Sequence, residues 1–345
     1  MKLLLQRNFF TEVKENFISY GKFEIRAFRY KSGVEALSIE NSRCSFVFTP
    51  FKGQQIWHYK VDGEELSMKT TIKEPQNTDV YLENYGGFLY HCGVLSFGAP
   101  GAGHPQHGEI PNAEYDSAYV VCGEDEGGKY IILGGELNHD TAFIRKYKFT
   151  PEIKLYENSA VFNIKVCLEN MRNHPMEYMY LCHINFKPIA GAEIVYSGKV
   201  SKVYKSNATG TLLEYMENIE KEPAVHHIVG NKDEVYDPEV CMLIDYKGDE
   251  NNRAYTMQYT NDGACYVSHP TDALPMAIRW ISRTCDEDSM GMVLPATSEH
   301  LGYVYAKENG QIKTLGANEK LEFYIEAGYL DKDDSEIIRE KVNRI

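Results

Sequence analysis

The sequence predicts an all-β protein built from large antiparallel sheets, with one short helix near the C-terminal end. Three features favour this class. Hydrophobic residues alternate with polar ones along many segments, tyrosine (25) and phenylalanine (15) are abundant, and turn dipeptides containing glycine separate the alternating segments. Alternation with a period of two is typical of strands with one buried face, and aromatic side chains suit such strands. Strands of this kind usually belong to antiparallel sheets.

Three segments show the alternation most clearly. They are residues 22–30, 161–169 and 321–327, in which hydrophobic residues occupy every second position. We expect each of them to be a strand with one face in the core. Because many such strands are spread over this length without a fixed-period repeat, we expect two large sheets packed together.

Turn signals recur between the strands. They are Lys52-Gly53, Asp62-Gly63, Gly86-Gly87, Gly127-Gly128, Gly134-Gly135, Asn261-Asp262-Gly263 and Asn309-Gly310. Glycine and asparagine accept the positive φ angles that tight turns need. Two of these dipeptides, Asp62-Gly63 and Asn309-Gly310, predict tight hairpins.

A helix is predicted over residues 333–344, because Asp333 and Glu336 have the spacing of a capping box and Ile337, Ile338 and Val342 form an apolar stripe. The chain contains no low-complexity segment and no linker rich in proline or serine. We therefore expect residues 1–345 to form a single domain.

Composition excludes some partners. The net charge of −14 and the absence of basic stripes argue against nucleic acid and against an anionic membrane surface. The apolar run from Leu3 to Leu5 is too short for a signal peptide, and no stretch approaches a membrane span. Eight scattered cysteines then predict reduced, mostly buried thiols in a cytoplasmic protein. Asn207-Ala208-Thr209 is a glycosylation sequon, which matters only in secreted proteins.

The most unusual segment is residues 98–116, GAPGAGHPQHGEIPNAEYD. Its prolines and glycines exclude regular structure, so it predicts a shaped loop. Polar side chains on a loop held by a rigid scaffold often line a site. His107 precedes Gly108, where the backbone can turn sharply or a ligand can approach closely. An ordinary surface loop with solvated histidines is the alternative.

A second candidate segment is residues 178–188, YMYLCHINFKP. With strand periodicity, His183 and Asn185 share one face with Met179 and Leu181. Polar groups in such an apolar strand must be hydrogen-bonded or must face a cavity. A satisfied core histidine is the alternative to a functional one.

Together these segments resemble the two histidine motifs of the aldose 1-epimerases, also called galactose mutarotases. The matching residues are HGEIPN (His107 to Asn112) and HINF (His183 to Phe186). The preceding GGFLYHCG, from Gly86 to Gly93, resembles the GG-L-x-x-CG motif of an uncharacterised branch of that superfamily. The order and spacing of the three motifs cover residues 20–330.

The resemblance implies a β-supersandwich whose concave sheet holds a monosaccharide or sugar derivative, without a cofactor or a metal. In the family, the histidine that matches His183 protonates the ring oxygen, and the one that matches His107 polarises the sugar near that oxygen. A carboxylate removes the proton of the anomeric hydroxyl. Imidazole suits such work because it titrates near neutral pH.

The carboxylate departs from the family pattern. Family members carry it on a late strand in a Leu-Glu motif, but the matching segment here, residues 291–302, has Leu294-Pro295 at that place. Glu299 is the nearest carboxylate and is the first candidate for the base. Glu109 and Asp116 are the next candidates.

The remaining candidates for substrate binding are polar or aromatic side chains in or near the motifs: Asn185, His91, Glu109, Asn112 and Trp280. An indole such as that of Trp280 can stack on a pyranose face, although a core tryptophan is the common alternative. Outside the motifs, Lys187 and Arg145 could meet an anionic sugar, but solvated charge is the simpler interpretation. The pair His226-His227 lacks a third ligand for a metal.

Three hypotheses follow. The first is an aldose 1-epimerase-like isomerase. The second is a sugar-binding protein without catalysis, and the missing glutamate favours it. The third is a sugar-acid isomerase or lyase with a relocated carboxylate. One scaffold can host all three, so the fold does not choose among them.

Overall fold

The structure is a computed structural model, and it describes residues 1–205, 208–231 and 233–345. Asn207 of the glycosylation sequon lies outside the described residues. In chain order, the strands are β1 (Lys2–Leu4), β2 (Glu15–Tyr20), β3 (Phe23–Arg29), β4 (Glu35–Glu40), β5 (Cys44–Phe48), β6 (Ile56–Val61), β7 (Glu64–Glu65), β8 (Leu89–Val94), β9 (Ser117–Asp125), β10 (Gly128–Thr141), β11 (Arg145–Phe149), β12 (Glu152–Tyr156), β13 (Val161–Asn170), β14 (Met176–Ile184), β15 (Glu193–Tyr196), β16 (Gly198–Tyr204), β17 (Tyr236–Tyr246), β18 (Arg253–Thr260), β19 (Gly263–Pro270), β20 (Met276–Arg283), β21 (Asp288–Ala296), β22 (Lys313–Leu315) and β23 (Lys320–Asp331). The helices are α1 (Gly210–Lys221), α2 (Tyr303–Glu308) and α3 (Lys332–Val342), with short 3₁₀ turns at Arg7–Phe9, Tyr81–Asn84 and Pro223–His226.

The strands form two large antiparallel sheets. The ten-stranded sheet has the order β1-β9-β10-β11-β13-β23-β19-β18-β15, with β12 pairing β10 and β13. The thirteen-stranded sheet has the order β16-β17-β20-β21-β14-β8-β6-β5-β4-β3-β2, with β7 and β22 attached to β6 and β14. This confirms the predicted all-β sandwich with a short C-terminal helix.

The three strongest strand predictions are confirmed as β3, β13 and β23. The hairpin prediction at Asp62-Gly63 is also correct, because both residues have positive φ (50° and 91°) and they join β6 to β7. The prediction at Asn309-Gly310 is wrong. These residues end α2, where Gly310 has φ 67° and the amide of Gln311 donates to Ala306 O at 2.8 Å. Helix termini use the same left-handed glycine that tight hairpins use.

The C-terminal helix begins slightly earlier than predicted. Asp331, rather than Asp333, is its N-cap, and its side chain accepts a hydrogen bond from the amide of Asp334 at 3.0 Å. Two helices were not predicted from the sequence, α1 and α2. The first buries Leu212, Met216 and Ile219 at helical spacing.

The main hydrophobic core fills the space between the two sheets. Tyr180 of β14, for example, contacts Phe323 of β23 at a ring-centroid distance of 5.4 Å. Along β14, alternate residues face in opposite directions: Cys182 belongs to this core, whereas Leu181 belongs to a second cluster on the opposite face of the thirteen-stranded sheet. The predicted alternation therefore holds, and it directs His183 away from the core.

All eight cysteines lie in the described residues as free thiols, and seven of them are buried. None of the helices in the described part of the chain has the length and apolar character needed to cross a bilayer.

Candidate active site

A cleft of about 390 Å³ opens on the face of the thirteen-stranded sheet that turns away from the ten-stranded sheet. Its floor comes from β14, β17, β20 and β21, which are adjacent in that sheet. Its rim comes from three connecting segments, residues 81–85, 98–107 and 300–301. The predicted loop and the predicted strand thus line one cavity.

The cleft brings His107 and His183 together. Their ring centroids are 5.3 Å apart, with the ring planes inclined at 71°. His183 also contacts Trp280 (5.6 Å) and Tyr85 (5.5 Å), and His107 packs on Tyr81 at 4.5 Å. Two imidazoles that are 76 residues apart in the sequence (107 and 183) therefore share an aromatic enclosure.

The backbone of the loop holds His107 in an unusual conformation. Its φ is 59°, in the left-handed region that residues with a Cβ seldom adopt, and its amide donates to Gly98 O at 3.0 Å. Gly108 follows with φ 85°, and a Cβ there would lie 2.1 Å from Ser96 O. Glycine is therefore required at this position, and the strained neighbour is held where it can face the cleft.

Burial disfavours the protonated form of both imidazoles. Burial lowers the pKa of His183 to about 4, although a hydrogen bond with Asn185 opposes the shift. Burial, together with the nearby His183, lowers the pKa of His107 well below its usual value. The Nδ1 atom of each ring is buried without a hydrogen-bond partner among the described residues. Buried nitrogens without a hydrogen-bond partner carry a desolvation cost.

The carboxylate of the cleft is that of Glu239, which was not a predicted site residue. It lies on β17, and the indole Nε1 of Trp280 donates to its Oε2 at 2.5 Å. Trp280 thus bridges Glu239 and His183. Glu239 is the one carboxylate among the described residues that line the cleft, and no lysine or arginine is among them.

The structure does not bring Glu299 to the cleft wall. Its carboxylate is held by Lys202 at 2.7 Å, by Gln311 at 2.8 Å and by Tyr204. Although burial alone would raise its pKa, these hydrogen bonds lower the pKa to about 2. A carboxylate so tightly paired is a poor base, so we withdraw it as the candidate. Leu294 does line the cleft, and it presents an alkyl side chain there.

Two other predicted residues support the cleft without lining it. Asn185 is fully buried, accepts from the hydroxyl of Tyr85 at 3.0 Å and donates to Gly87 O at 3.1 Å. Asn112 accepts from Asn84 at 2.9 Å and donates to Val80 O, bracing the 3₁₀ turn at Tyr81–Asn84. Both asparagines therefore position aromatic side chains of the rim.

His91 and Glu109 lie elsewhere. His91 points into the main core, where its Nδ1 lies 2.7 Å from the hydroxyl of Tyr180 and its ring contacts Phe149. Glu109 lies behind the loop, where it accepts from Tyr147 at 2.5 Å and from the amide of Val94 at 2.8 Å. Neither residue lines the cleft, because the strand and the loop turn these side chains to their other side.

Strand periodicity indicates the face on which Glu239 lies but not its neighbours. In residues 236–246, Val240, Met242 and Ile244 face the core, so Glu239 and Cys241 must face the other way. The missing signal was the pairing of β17 with β20, in which Cys241 lies opposite Trp280.

The other charged candidates are not in the cleft. Lys187 lines a separate cavity of about 590 Å³, and Arg145 lines another of about 200 Å³. His226 is hydrogen-bonded to Arg279 at 2.6 Å and to Pro223 O. The described residues contain no cluster of three side chains suited to a metal ion.

Two packed antiparallel sheets, with a cleft on the outer face of one of them, form the β-supersandwich fold expected from the motifs. The model of the family described as "Domain of unknown function (DUF4432)" matches residues 31–328, and the chain belongs to that family. A search of curated proteins gave no match.

Solved structures share the fold at low sequence identity. A protein from Klebsiella pneumoniae, provisionally named an aldose 1-epimerase, aligns with a TM-score of 0.84 and 16% identity over 100% of this chain and 95% of that one. A galactose mutarotase-like protein from Clostridium acetobutylicum aligns with a TM-score of 0.59 and 14% identity over 89% of this chain and 98% of that one. A galactose mutarotase related enzyme from Lactobacillus acidophilus aligns with a TM-score of 0.57 and 14% identity over 87% of this chain and 99% of that one. These likenesses confirm the fold that the motifs imply.

Proposed function

We propose that the protein binds a monosaccharide in the cleft and interconverts its anomers, as an aldose 1-epimerase-like isomerase of the cytoplasm. The observation that supports this most strongly is the juxtaposition of His107, His183 and Glu239 around Trp280 in one open cavity. Anomer exchange requires an acid and a base, and an aromatic platform can hold the sugar between them.

In the proposed reaction, one proton leaves the anomeric hydroxyl and another is added to the ring oxygen. Glu239 accepts the proton of the anomeric hydroxyl, and the electron pair of that O–H bond forms the C1=O double bond of the open-chain aldehyde. The bond between C1 and the ring oxygen breaks at the same time, and the electron pair of this bond passes to the ring oxygen. His183, in its protonated form, gives a proton to the ring oxygen, and His107 donates a hydrogen bond near it. Rotation about C1–C2 and the reverse transfers close the ring as the other anomer and restore both groups.

The charge of the cleft supports an uncharged substrate. Glu239 contributes a negative charge, and the described lining residues contribute no lysine or arginine to balance a phosphate or a carboxylate. A sugar acid would therefore enter unfavourably, which weighs against the hypothesis of a sugar-acid isomerase or lyase.

Sugar binding without catalysis is the second candidate. It is favoured by Leu294, which places an alkyl group on the cleft wall where the family pattern leads us to expect a carboxylate. It is also favoured by the neutral state of His183, since a neutral imidazole is a weak acid. Both candidate functions predict saturable sugar binding, but only the isomerase predicts turnover.

Anomer exchange measured by NMR on a panel of neutral aldoses tests the proposal. We expect the wild-type protein to accelerate exchange of at least one sugar, and Glu239→Gln to slow it about 100-fold or more. The matched control is Glu250→Gln, which removes an exposed carboxylate and should leave the rate unchanged. Saturable binding with exchange at the uncatalysed rate would favour the second candidate, and equal rates in wild type and Glu239→Gln would refute the role of Glu239.

A further inference from the structure

A second cavity, of about 200 Å³, lies on the other side of the histidine loop. Its wall includes Arg145 at the start of β11, Arg172 in the connection between β13 and β14, and His104 of the loop. Tyr303, at the start of α2, closes the same cavity and contacts the ring of His104 at 5.2 Å. The cavity is separate from the cleft, since no residue lines both.

The two guanidinium groups of this cavity have unused hydrogen-bonding capacity. Within the described residues, Arg145 makes no side-chain hydrogen bond, ion pair or aromatic contact. Arg172 donates to the backbone oxygen of Phe143 at 3.1 Å and has no carboxylate partner in that same part of the chain. Most other arginines of this acidic protein have partners, as Arg43 has in Asp62. Packing therefore does not account for two neighbouring arginines here.

The carboxylate that lines the cavity is already neutralised. Glu177 accepts from Tyr303 at 2.5 Å and pairs with Lys307 at 3.2 Å, which leaves the charge of the two arginines uncompensated. The guanidinium of Arg145 also contributes, after burial, to lowering the pKa of His104. In either protonation state, the imidazole of His104 offers an N–H donor beside the cations.

We propose that this cavity binds a phosphate group, as inorganic phosphate or as the phosphate of a small phosphorylated metabolite. Two guanidinium groups offer planar pairs of N–H donors that match phosphate oxygens, and two positive charges balance a dianion. A protein with a net charge of −14 repels anions in general, so anion binding requires a local cationic cavity such as this one. The proposal concerns a site apart from the cleft and does not depend on the sugar chemistry proposed above.

Isothermal titration at constant ionic strength tests the site, with inorganic phosphate in one arm and glucose 6-phosphate in the other. We expect saturable binding in at least one arm, weakened at least tenfold in the double variant Arg145→Gln/Arg172→Gln. The matched control is Arg26→Gln/Lys199→Gln, which removes two positive charges elsewhere and should bind as the wild type does. Circular dichroism and the Tm without phosphate establish that each variant folds.

The two arms separate the sources of the phosphate. Binding of inorganic phosphate that the double variant loses identifies a free-anion site, and binding of glucose 6-phosphate alone, lost in the same variant, identifies a site for phosphorylated sugars. Absence of binding in both arms overturns the proposal, as does equal binding by the wild type and the double variant.

Discussion

Two histidines on neighbouring strands of the thirteen-stranded sheet have contrasting surroundings. His91 on β8 pairs with Cys182, and His183 on β14 pairs with Tyr90, so the two rings are one register position apart. Both are almost fully buried, with exposed fractions of 0% and 4%. Burial lowers the pKa of His91 to about 3 and that of His183 to about 4. The alternation of the strands sends the first into the core and the second into the cleft.

The comparison shows that burial and a lowered pKa do not distinguish a histidine at the cleft from one in the core. What differs is the neighbourhood. His91 meets Tyr180 and Phe149 of the main core, whereas His183 meets Trp280, Tyr85 and a second histidine at an open cavity. The face of the strand, together with what the facing loops supply, decides the role.

Replacing each histidine with alanine should separate the two roles, and it has the largest expected effect. His183→Ala should slow anomer exchange by about 100- to 10,000-fold, because it removes the proposed donor of the proton to the ring oxygen. His91→Ala should leave the rate per folded molecule unchanged but lower the free energy of unfolding by about 2 to 4 kcal/mol, because it opens a cavity in the core. NMR exchange measures the first effect and urea denaturation the second.

The opposite pattern would contradict this assignment. If His91→Ala stopped exchange in a protein that remained folded, or if His183→Ala lowered stability without changing the rate, the two faces of the sheet would have been given the wrong roles. His183→Asn, which keeps a polar group at the same place, should also be inactive, because an amide cannot donate a proton at the required pKa.

The fold was readable from the sequence where the signal was local. Alternation in residues 178–186 correctly directed His183 and Asn185 to one face, since strand periodicity needs no knowledge of the partner strands. Helix α1 has an equally local signal in the spacing of Leu212, Met216 and Ile219, which was overlooked among the strands. The error at Asn309-Gly310 has a different cause, because a left-handed glycine serves hairpins and helix ends alike.

The site was only partly readable because its carboxylate depends on long-range pairing. Glu239 reaches Trp280 through the pairing of β17 with β20, across 41 residues of sequence. Glu299 was selected by proximity to the expected motif, but its partners Lys202 and Tyr204 come from a distant strand and occupy its oxygens. Neither pairing leaves a mark in the local sequence.

The pH dependence of exchange should sharpen the contrast between His183 and an ordinary exposed histidine. With a pKa near 4, lowered by burial, about one molecule in a thousand carries the protonated ring at pH 7. The kcat/KM of anomer exchange should therefore rise about tenfold for each unit by which the pH falls from 8 to 5.5. NMR exchange rates, corrected for the uncatalysed reaction at each pH, measure this slope.

A plateau of kcat/KM below pH 6.5 would contradict this expectation, because such a plateau would indicate a proton donor with an unshifted pKa. The pH range stops at 5.5 for a physical reason. Histidines that are neutral in the fold, His91 and His183 among them, bind protons more readily when the chain is unfolded. Their contribution to stability is complete above the unfolded pKa of about 6.5 and declines as the pH falls toward the folded value.

Two glutamates, one at the cleft and one enclosed away from it, repeat the contrast between His183 and His91 with a smaller expected effect. Glu239 faces the cleft, whereas Glu109 is enclosed behind the loop. Burial raises the pKa of Glu109 to about 7, although the hydrogen bonds from Tyr147 and from nearby backbone amides oppose this shift. A raised carboxyl pKa means that the folded chain holds this proton more tightly than the unfolded one. Its contribution to stability is therefore present at low pH and is lost as the pH rises through about 7.

Glu109→Gln should become more stable than the wild type as the pH rises, by about 2 to 3 kcal/mol between pH 5 and pH 8. The amide oxygen of glutamine can keep the hydrogen bonds from Tyr147 and Val94, and no charge has to be buried. Urea denaturation at several pH values measures the difference, which cancels the contribution of the histidines common to both proteins. Glu124→Gln, at an exposed position, is the control and should track the wild type. A difference that stays constant with pH would mean that Glu109 ionises normally in the folded protein, and the enclosure behind the loop would then be open to water.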